Sequence, residues 1–324
     1  GSLSRAYRLV EAAAHAGADA IKLQTWDQDS MVLDPERVIE AGPWVGRRMA
    51  DLYHETHLQW DFHEKIFERA KAFGIVGFST PFDHKALAFL ETIGCPMFKI
   101  ASFEIVDLAL IDAIARTGKP ILISTGMATE GEIADVYWTA DRAGCKDITL
   151  LKCTSAYPAG PEDANLATMQ ALQHMYGGAV GISDHTLGCG VAVAAVALGA
   201  TVVEKHLTLR RSDGGPDAAF SMEPAEFKTM VDACRQAAVA TGVERYGPTA
   251  SERPQVALRR SLHIARDLPA GHELQPCDTT TARPSDGLPP KFLNSLIGRK
   301  LKHPAKRGDP ITWNTLQDKW QAQA

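Results

Sequence analysis

Short apolar segments recur along the chain, and most are followed by a stretch with helical periodicity that ends near a glycine. Strands of this length that alternate with helices, at intervals of roughly 20–30 residues, are typical of parallel βα units. The segments are apolar almost throughout, which indicates a sheet that is buried on both faces. Seven strands are predicted in this way, at residues 18–23, 75–79, 97–102, 120–124, 148–153, 179–183 and 201–206.

The number of strands bears on whether the sheet closes into a barrel. A (β/α)8 TIM barrel has eight parallel strands, and a helix at residues 3–16 precedes the first of the seven predicted here. Because such a helix normally follows a strand, we expect the missing first strand to lie before Gly1. A helix at 224–241 would complete the ring. The sequence therefore predicts the α/β class and a TIM barrel.

A change in composition after this last helix predicts a second domain. Residues 246–254 (YGPTASERP) are rich in proline, glycine and serine, as linkers are. The rest of the chain has short alternating runs separated by prolines and glycines, which favours a small β-rich domain. The predicted organisation is a barrel at 1–245, a linker at 246–256 and the small domain at 257–324.

The composition argues against several classes of protein. With 34 Lys and Arg against 39 Asp and Glu, the net charge is −5, which does not suit a nucleic-acid-binding protein. No apolar run reaches the roughly 18–20 residues that a membrane-spanning helix needs. The six cysteines include no Cys-x-x-Cys pair, which argues against a zinc ribbon. We expect Cys153 to be a buried free thiol and the protein to be cytoplasmic, where thiols stay reduced.

Polar side chains lie at the end of each predicted strand, where the catalytic groups of a TIM barrel are found. Lys22 and Lys99 lie inside otherwise apolar strands, and a buried lysine without a partner is costly. A structural salt bridge would satisfy either one. Lysines that converge on one barrel mouth, together with serine and threonine hydroxyls, favour an anionic substrate that carries phosphate or carboxylate.

Two histidines, His185 and His206, end adjacent predicted strands. Imidazoles on neighbouring strand ends can share one divalent metal, with water and substrate as the other ligands. The alternative for each is a hydrogen-bonded core residue. Asp184 and Glu204 are candidates to orient an imidazole N–H, and Glu204 could equally pair with a lysine for structural reasons. The remaining histidines, among them His63, are expected to be solvated or to cap helices.

Eight motifs together resemble one known family, and the resemblance covers nearly the whole chain. They are AGADAIKLQT (16–25), FSTPFD (78–83), FKIAS (98–102), ISTGM (123–127), LLKCTSAYP (150–158), GISDHT (181–186), VEKHLTL (203–209) and ARPSDGLPP (282–290). In this order they are similar to the sialic acid synthase family, which condenses phosphoenolpyruvate with an N-acetylated amino sugar. The resemblance implies a TIM barrel followed by a small antifreeze-like (SAF) domain.

Within this family, KCTSAYPAGPED and TLRRSDGGPDAAFSMEP resemble the branch that makes pseudaminic acid. The N-acetylneuraminate branch usually has Asn in place of Ser155 and lacks the loop at 211–215. The implied acceptor is 2,4-diacetamido-2,4,6-trideoxy-L-altrose. Three alternatives stay open: an N-acetylneuraminate or legionaminate synthase, a Schiff-base aldolase that uses Lys99 or Lys152, and a non-catalytic sugar- or ice-binding protein.

The resemblance also implies roles for individual residues. Those that match positions holding phosphoenolpyruvate are Lys22, Thr80, Lys99, Ser102, Ser124, Ser155 and Ser183. His185 and His206 match metal ligands, for Mn²⁺, Mg²⁺ or Co²⁺. Contacts with the acceptor sugar are implied for Gln24, Tyr157 and Asp217, and Glu104 matches an acidic residue near the reacting atoms.

Arg283 matches an arginine that the small domain inserts into the partner's active site, which implies a domain-exchanged homodimer. The family's first strand carries a Glu and an Asn-His pair that match no residue of this sequence. Residues 26–55 are expected to determine the choice of acceptor.

Overall fold

A computed structural model describes residues 2–317; the predicted domain limits at Gly1 and Ala324 lie outside them. The chain divides into two compact units, Gly1–Gly242 and Val243–Ala324. The first unit contains one parallel sheet in which each strand pairs with the next along the chain. Its strands are β1 (Ala20–Thr25), β2 (Val76–Pro81), β3 (Phe98–Ile100), β4 (Ile121–Ser124), β5 (Ile148–Cys153), β6 (Ala179–Asp184) and β7 (Val202–Lys205).

This sheet confirms the predicted fold class. All seven predicted strands are present, in chain order, with helices between them. Within residues 2–317 the sheet has two edges, β1 and β7, so seven of the eight strands of a TIM barrel are described.

The helices follow most strands as predicted. They are α1 (Leu3–His15), α2 (Gln28–Met31), α3 (Met49–Thr56), α4 (Asp61–Ala72), α5 (His84–Thr92), α6 (Leu108–Arg116), α7 (Glu130–Arg142), α8 (Ala167–Tyr176), α9 (Gly190–Ala197), α10 (Pro224–Thr241) and, in the second unit, α11 (Leu293–Leu296). Short 3-10 helices span Pro161–Asp163, Arg211–Asp213, Ala218–Phe220, Arg253–Leu258, Pro276–Asp278, Pro290–Phe292 and Trp313–Thr315. The sequence predicts helices at 3–16, 86–94, 108–118, 131–144, 191–199 and 224–241, and the structure adds α2, α3, α4, α8 and α11 to them.

Side-chain caps explain where several helices begin. Asp83 and Asp107 accept hydrogen bonds from backbone N–H groups in the first turns of α5 and α6. Thr129 and Glu132 form a reciprocal capping box at the start of α7. These caps place each helix directly after the loop that follows a strand, so the strand ends stay open toward one side of the sheet.

The main core lies between the sheet and its helices and is built from buried strand residues such as Phe98, Ile121 and Leu151. Gly181 lets two of these strands approach closely, since a Cβ there would lie 2.3 Å from the carbonyl oxygen of Val202. A side chain at this position would push β6 away from β7, the two strands that carry His185 and His206.

His63 corrects an expectation from the sequence. It is fully buried on α4, and its Nε2 lies 2.7 Å from the hydroxyl of Thr25 at the end of β1. Burial lowers the pKa of this histidine, so it is a neutral core residue rather than a solvated or capping one. By contrast, the buried free thiol expected at Cys153 is confirmed.

The second unit is the small β-rich domain that the sequence predicts. Strand β8 (Ser261–Ile264) pairs antiparallel with β9 (Thr279–Ala282), and isolated bridges extend this pairing to residues near the end of the unit. Its separate core contains Leu262, Leu274, Leu296 and Ile311. No helix in residues 2–317 is long and apolar enough to cross a membrane.

One fully buried ion pair joins β6 to β7. Lys205 Nζ lies 2.6 Å from Asp184 Oδ2, and both side chains are 1% exposed. Thr186 completes the arrangement, because its backbone N–H and hydroxyl donate to Asp184 Oδ1 while its carbonyl oxygen accepts from Lys205. Buried charges are tolerated when they are paired and hydrogen-bonded in this way.

We therefore expect Lys205→Met to lower the free energy of unfolding by about 3–5 kcal/mol, because Asp184 would be left as an unpaired buried charge. The double variant Asp184→Leu/Lys205→Met should lose less than the single one. Urea unfolding measures both, with Lys228→Met as the control, since its partner Asp232 is half exposed. Equal stability of Lys205→Met and Lys228→Met would contradict this account.

Candidate active site

A cavity of about 500 Å³ opens at the carboxyl ends of the parallel strands. This is where TIM-barrel enzymes place their catalytic groups. The structure brings most of the predicted site residues together on its wall: Lys22, Gln24, Lys99, Ser102, Ser124, Ser155, Tyr157, Ser183, His185, His206 and Asp217. They come from six of the seven strands or the loops that follow them.

We call the surface formed by Lys22, Lys99, Glu204 and the nearby serines the floor of the cavity. Glu204 contacts both lysines of this floor. Its Oε1 lies 2.6 Å from Lys22 Nζ, and its Oε2 lies 3.7 Å from Lys99 Nζ. Burial alone would raise the pKa of Glu204, but the two lysines outweigh it and lower that pKa to about 2. Lys22 and Lys99 thus have the anionic partner that their positions require, and they share it.

Lys99 is almost completely buried, and its ammonium donates to the Ser124 hydroxyl at 2.7 Å and to the Ile100 carbonyl oxygen at 3.0 Å. Burial lowers its pKa to about 8, although Glu204 opposes that change. Two ammonium groups facing one carboxylate leave a surplus positive charge. Together with the serine hydroxyls, this floor can hold a phosphate or carboxylate.

The loop that contains Gly126 passes close to both Ser102 and Ser155. A Cβ at Gly126 would lie 2.3 Å from Ser102 Cβ and 2.8 Å from the Ser155 hydroxyl, and its φ of +40° also favours glycine. Ser102 donates to Cys153 Sγ at 3.3 Å. Burial raises the pKa of Cys153, but hydrogen bonds from His185 and Ser102 outweigh it and lower that pKa to about 7.

His185 and His206 lie side by side, with ring centroids 5.3 Å apart. His185 Nδ1 donates to the carbonyl oxygen of Thr154 at 2.8 Å, which fixes the orientation of the ring. His206 Nδ1 lies 3.5 Å from Asp217 Oδ2. Burial, and after it the neighbouring His185, lower the pKa of His206 to about 3, so the ring is neutral at neutral pH.

These two imidazoles have the chemistry of metal ligands, because their rings lie side by side and imidazole nitrogens bind divalent transition metals. Tyr157 packs against His185 with a centroid distance of 4.4 Å, which restricts the orientation of that ring. In the part of the chain that the structure describes, no three His, Cys, Asp or Glu side chains form a group that could hold a metal. A divalent ion held by these two rings would need oxygens of water or substrate as its other ligands.

Three predicted residues do not line the cavity. Thr80 is fully buried on β2, where it pairs with Gln24 of β1, and its hydroxyl has no partner among the described residues. Glu104 has a buried oxygen that likewise has no partner there, and burial raises its pKa to about 7. Arg283 lies on an exposed segment after β9 in the second unit. Lys152, the alternative Schiff-base lysine, also lies off the cavity wall, and its ammonium donates to the Cys153 carbonyl oxygen at 2.7 Å.

Residues 26–55, which are expected to determine acceptor choice, form one side of the cavity, but the sequence analysis named none of their side chains. Residues between β1 and α4 contribute apolar side chains to it, among them Trp26, Ile39, Trp44, Met49, Leu52 and Tyr53. The Trp44 indole donates to the carbonyl oxygen of Pro216 at 3.1 Å, which ties this segment to the loop after β7. The spacing of Met49, Leu52, Tyr53 and Thr56 is that of one helix face and was the available signal.

Comparison with known proteins shows the family of both units. Residues 9–246 match the model of the NeuB family, and residues 259–317 match the SAF domain. A pseudaminic acid synthase from Helicobacter pylori is 39% identical over 320 residues, which cover 97% of this chain and 94% of that protein. An N,N'-diacetyllegionaminic acid synthase from Campylobacter jejuni is 34% identical over 92% of this chain and 91% of its own.

A solved structure shows the same likeness in three dimensions. It is the N-acetylneuraminic acid synthetase of Leptospira borgpetersenii in complex with citrate, 31% identical, with a TM-score of 0.71 over 78% of this chain and 85% of that one. From these matches, the chain belongs to the NeuB family, the sialic acid synthases that its motifs resemble, and is a transferase that forms a carbon–carbon bond.

Proposed function

We propose that this protein condenses phosphoenolpyruvate with 2,4-diacetamido-2,4,6-trideoxy-L-altrose, giving pseudaminic acid and phosphate. The observation that carries the proposal is the cavity itself, which joins a cationic, hydroxyl-rich floor to an apolar, aromatic side. Similarity supports the choice of acceptor. Identity is 38–39% to pseudaminic acid synthases of H. pylori and C. jejuni, against 34% to legionaminic acid synthases and 29% to the human N-acetylneuraminate-9-phosphate synthase.

The floor suits the triply charged phosphoenolpyruvate. Lys22 and Lys99 offer ammonium groups, and Ser102, Ser124 and Ser183 offer hydroxyls on the same wall. In the proposed reaction, C3 of phosphoenolpyruvate bonds to the aldehyde carbon of the open-chain sugar, whose oxygen takes up a proton. Water adds its oxygen to C2 and gives up its protons as the C2–O bond to phosphate breaks. The ammonium groups of Lys22 and Lys99, held in fixed positions, stabilise the negative charge that develops on the substrate during the reaction.

The family resemblance implies a role for Glu104 near the reacting atoms, although Glu104 does not line the cavity. With a pKa raised to about 7, its carboxyl group exchanges a proton readily near neutral pH. Gln24, Tyr157 and Asp217 lie on the wall of the same cavity, where they can contact the sugar hydroxyls. Arg283 would act in the active site of a partner subunit, as in the domain-exchanged homodimer that the family resemblance implies.

A divalent ion, Mn²⁺, Mg²⁺ or Co²⁺, would be held by His185 and His206. When bound, it supplies Lewis-acid polarisation of the aldehyde oxygen. The chain's own contribution is to keep the two rings close together and the ring of His206 neutral. Burial lowers the pKa of His206, and the Thr154 carbonyl oxygen fixes the tautomer of His185.

The choice of acceptor sugar can be tested by phosphate release. We expect the protein to release phosphate from phosphoenolpyruvate with the diacetamido-altrose and Mn²⁺, and at least tenfold less with N-acetylmannosamine. A chelator should abolish release and added Mn²⁺ should restore it. Phosphate release is measured for each sugar with and without chelator, and phosphoenolpyruvate alone is the control. Faster release with N-acetylmannosamine would instead assign the protein to the neuraminate branch.

Replacement of Lys99 tests its contribution to the binding of phosphoenolpyruvate. A charge-assisted hydrogen bond contributes about 1.5–3 kcal/mol, so Lys99→Met should raise the KM for phosphoenolpyruvate about 10- to 100-fold. In the unaltered protein, kcat/KM for phosphoenolpyruvate should fall about tenfold per pH unit above pH 8, where Lys99 loses its proton. Lys146→Met is the control, because its side chain is 79% exposed. A flat profile between pH 8 and 10, with an unchanged KM, would refute the role.

Replacement of either cavity histidine tests the proposed metal site. Electron paramagnetic resonance of free Mn²⁺ should show about one tightly bound ion per chain. His185→Ala and His206→Ala should each weaken this binding at least tenfold, because each removes one of two protein ligands. His174→Ala, an exposed histidine of α8, should leave it unchanged. Unaltered Mn²⁺ binding in both cavity variants would rule out this metal site.

A further inference from the structure

Residues 37–49, in the connection between β1 and α4, form a short antiparallel ribbon at the edge of the cavity. We call this segment the ribbon. Its base is held by backbone hydrogen bonds, from the Ile39 N–H to the Arg47 carbonyl oxygen at 2.9 Å and from the Met49 N–H to the Arg37 carbonyl oxygen at 2.8 Å. The ribbon residues nearer its tip that line the cavity are Ile39, Ala41, Gly42, Pro43 and Trp44. The tip of the ribbon is therefore part of the cavity boundary.

The tip of the ribbon has little packing of its own. In residues 33–46 only Ile39 and Trp44 are half-buried, and every other residue is exposed. Val38 and Val45, which could have anchored the ribbon, are 43% and 60% exposed. Segments with few buried apolar contacts are the ones that open most easily. The position of the tip therefore depends largely on what Trp44 contacts.

Trp44 contacts two loops that lie far from it in the chain. Its indole N–H donates to the Pro216 carbonyl oxygen at 3.1 Å, and its ring packs against Tyr157 with a centroid distance of 5.7 Å. Tyr157 lies in the loop after β5, and Pro216 lies in the loop after β7. One side chain thus joins three separate connections at the edge of the cavity.

Both contacts of Trp44 lead to groups that line the cavity beside the two histidines. Tyr157 packs against His185 with a centroid distance of 4.4 Å. Asp217, the residue after Pro216, has a carboxylate oxygen 3.5 Å from His206 Nδ1. A displacement of Trp44 would therefore release both Tyr157 and the backbone next to Asp217, the residues to which sugar contacts are assigned.

We infer that Trp44 is a positioning residue for the acceptor sugar: it ties the ribbon to Tyr157 and to the loop of Asp217, so that all three close on the sugar together. The inference rests on the proposed function, which places the sugar at Tyr157 and Asp217. Trp44 acts by fixing these residues in the geometry that the sugar needs. The floor is built from strand ends, so the binding of phosphoenolpyruvate does not depend on this contact.

Two substitutions of Trp44 test this role by kinetics. Trp44→Phe removes the N–H and keeps a ring, and it should raise the KM of the diacetamido-altrose about two- to tenfold, the range for one neutral hydrogen bond. Trp44→Ala removes the ring as well and should raise that KM further. The KM of phosphoenolpyruvate and Mn²⁺ binding should stay unaltered. Val45→Ala, the exposed neighbour in the same ribbon, is the matched control. An unchanged sugar KM in Trp44→Ala, or an equal rise in both KM values, would overturn the inference.

Hydrogen exchange followed by mass spectrometry tests the connection between the loops without any turnover. In the substrate-free protein, Trp44→Ala should speed amide exchange about threefold or more in peptides covering 37–49 and 211–218 together. Val45→Ala should change neither peptide. Faster exchange confined to 37–49 would mean that Trp44 stabilises only its own segment, and it would refute the positioning role. If Trp44→Ala lowers the melting temperature of the whole protein, Trp44→Phe decides the question with the same two peptides.

Failure of the proposed function would look different from failure of this inference. If the unaltered protein turns over only N-acetylmannosamine, the acceptor assignment fails, and the same KM comparison is made with that sugar. If neither sugar reacts, the exchange experiment still decides, because it needs no substrate. A joint change in the two peptides then supports the role of Trp44, and unchanged exchange in 211–218 contradicts it.

Discussion

The carboxylate of Glu204, held between Lys22 and Lys99, is the interaction on which the site depends. Lys22 lies on β1 and Glu204 on β7, the two edges of the described sheet, so their contact joins strands that share no backbone pairing. Lys99 brings in β3. Each charge would be costly to bury alone, and together they leave one positive charge for a substrate. The same contact therefore draws the sheet edges together and makes the floor attractive to anions.

Side chains along β6 and β7 alternate between the two faces of the sheet, so neighbouring residues have different surroundings. Ser183, His185, Glu204 and His206 line the cavity. Asp184 and Lys205 lie between them in sequence and therefore face the opposite side of the sheet, where they pair with each other. A fully buried ion pair thus joins β6 to β7, and His185 and His206 directly follow its two residues in the chain. Substitution of Lys205 or Asp184 is expected to disturb the spacing of those histidines without removing a cavity group.

Much of the fold could be predicted because buried parallel strands are continuous apolar runs, and the polar residues that end them belong at one edge. That reasoning located His185 and His206, the serines and both lysines. It did not show that one carboxylate serves Lys22 and Lys99, because Glu204 is 182 residues from Lys22 in the chain. His63 was misjudged for a similar reason: its partner Thr25 is on a distant element. Residues 26–55 were expected to determine acceptor choice, but the side chains that line the cavity there were not named, because α3 lies in a segment with no apolar strand to anchor a prediction.

The division of the cavity explains why acceptor choice and phosphoenolpyruvate binding can be separated in a fold of this kind. The floor is built from strand ends, whose positions the sheet and its core fix, so a change there also strains the barrel. The apolar side of the cavity is built largely from residues between β1 and α4, a long connection that can vary while every strand pairing stays intact. Repacking Trp26, Tyr53 and their neighbours would change the space for a sugar over an unchanged floor. The proposed acceptor choice thus depends on the β1–α4 connection, and the attraction for anions depends on Glu204 and the two lysines around it.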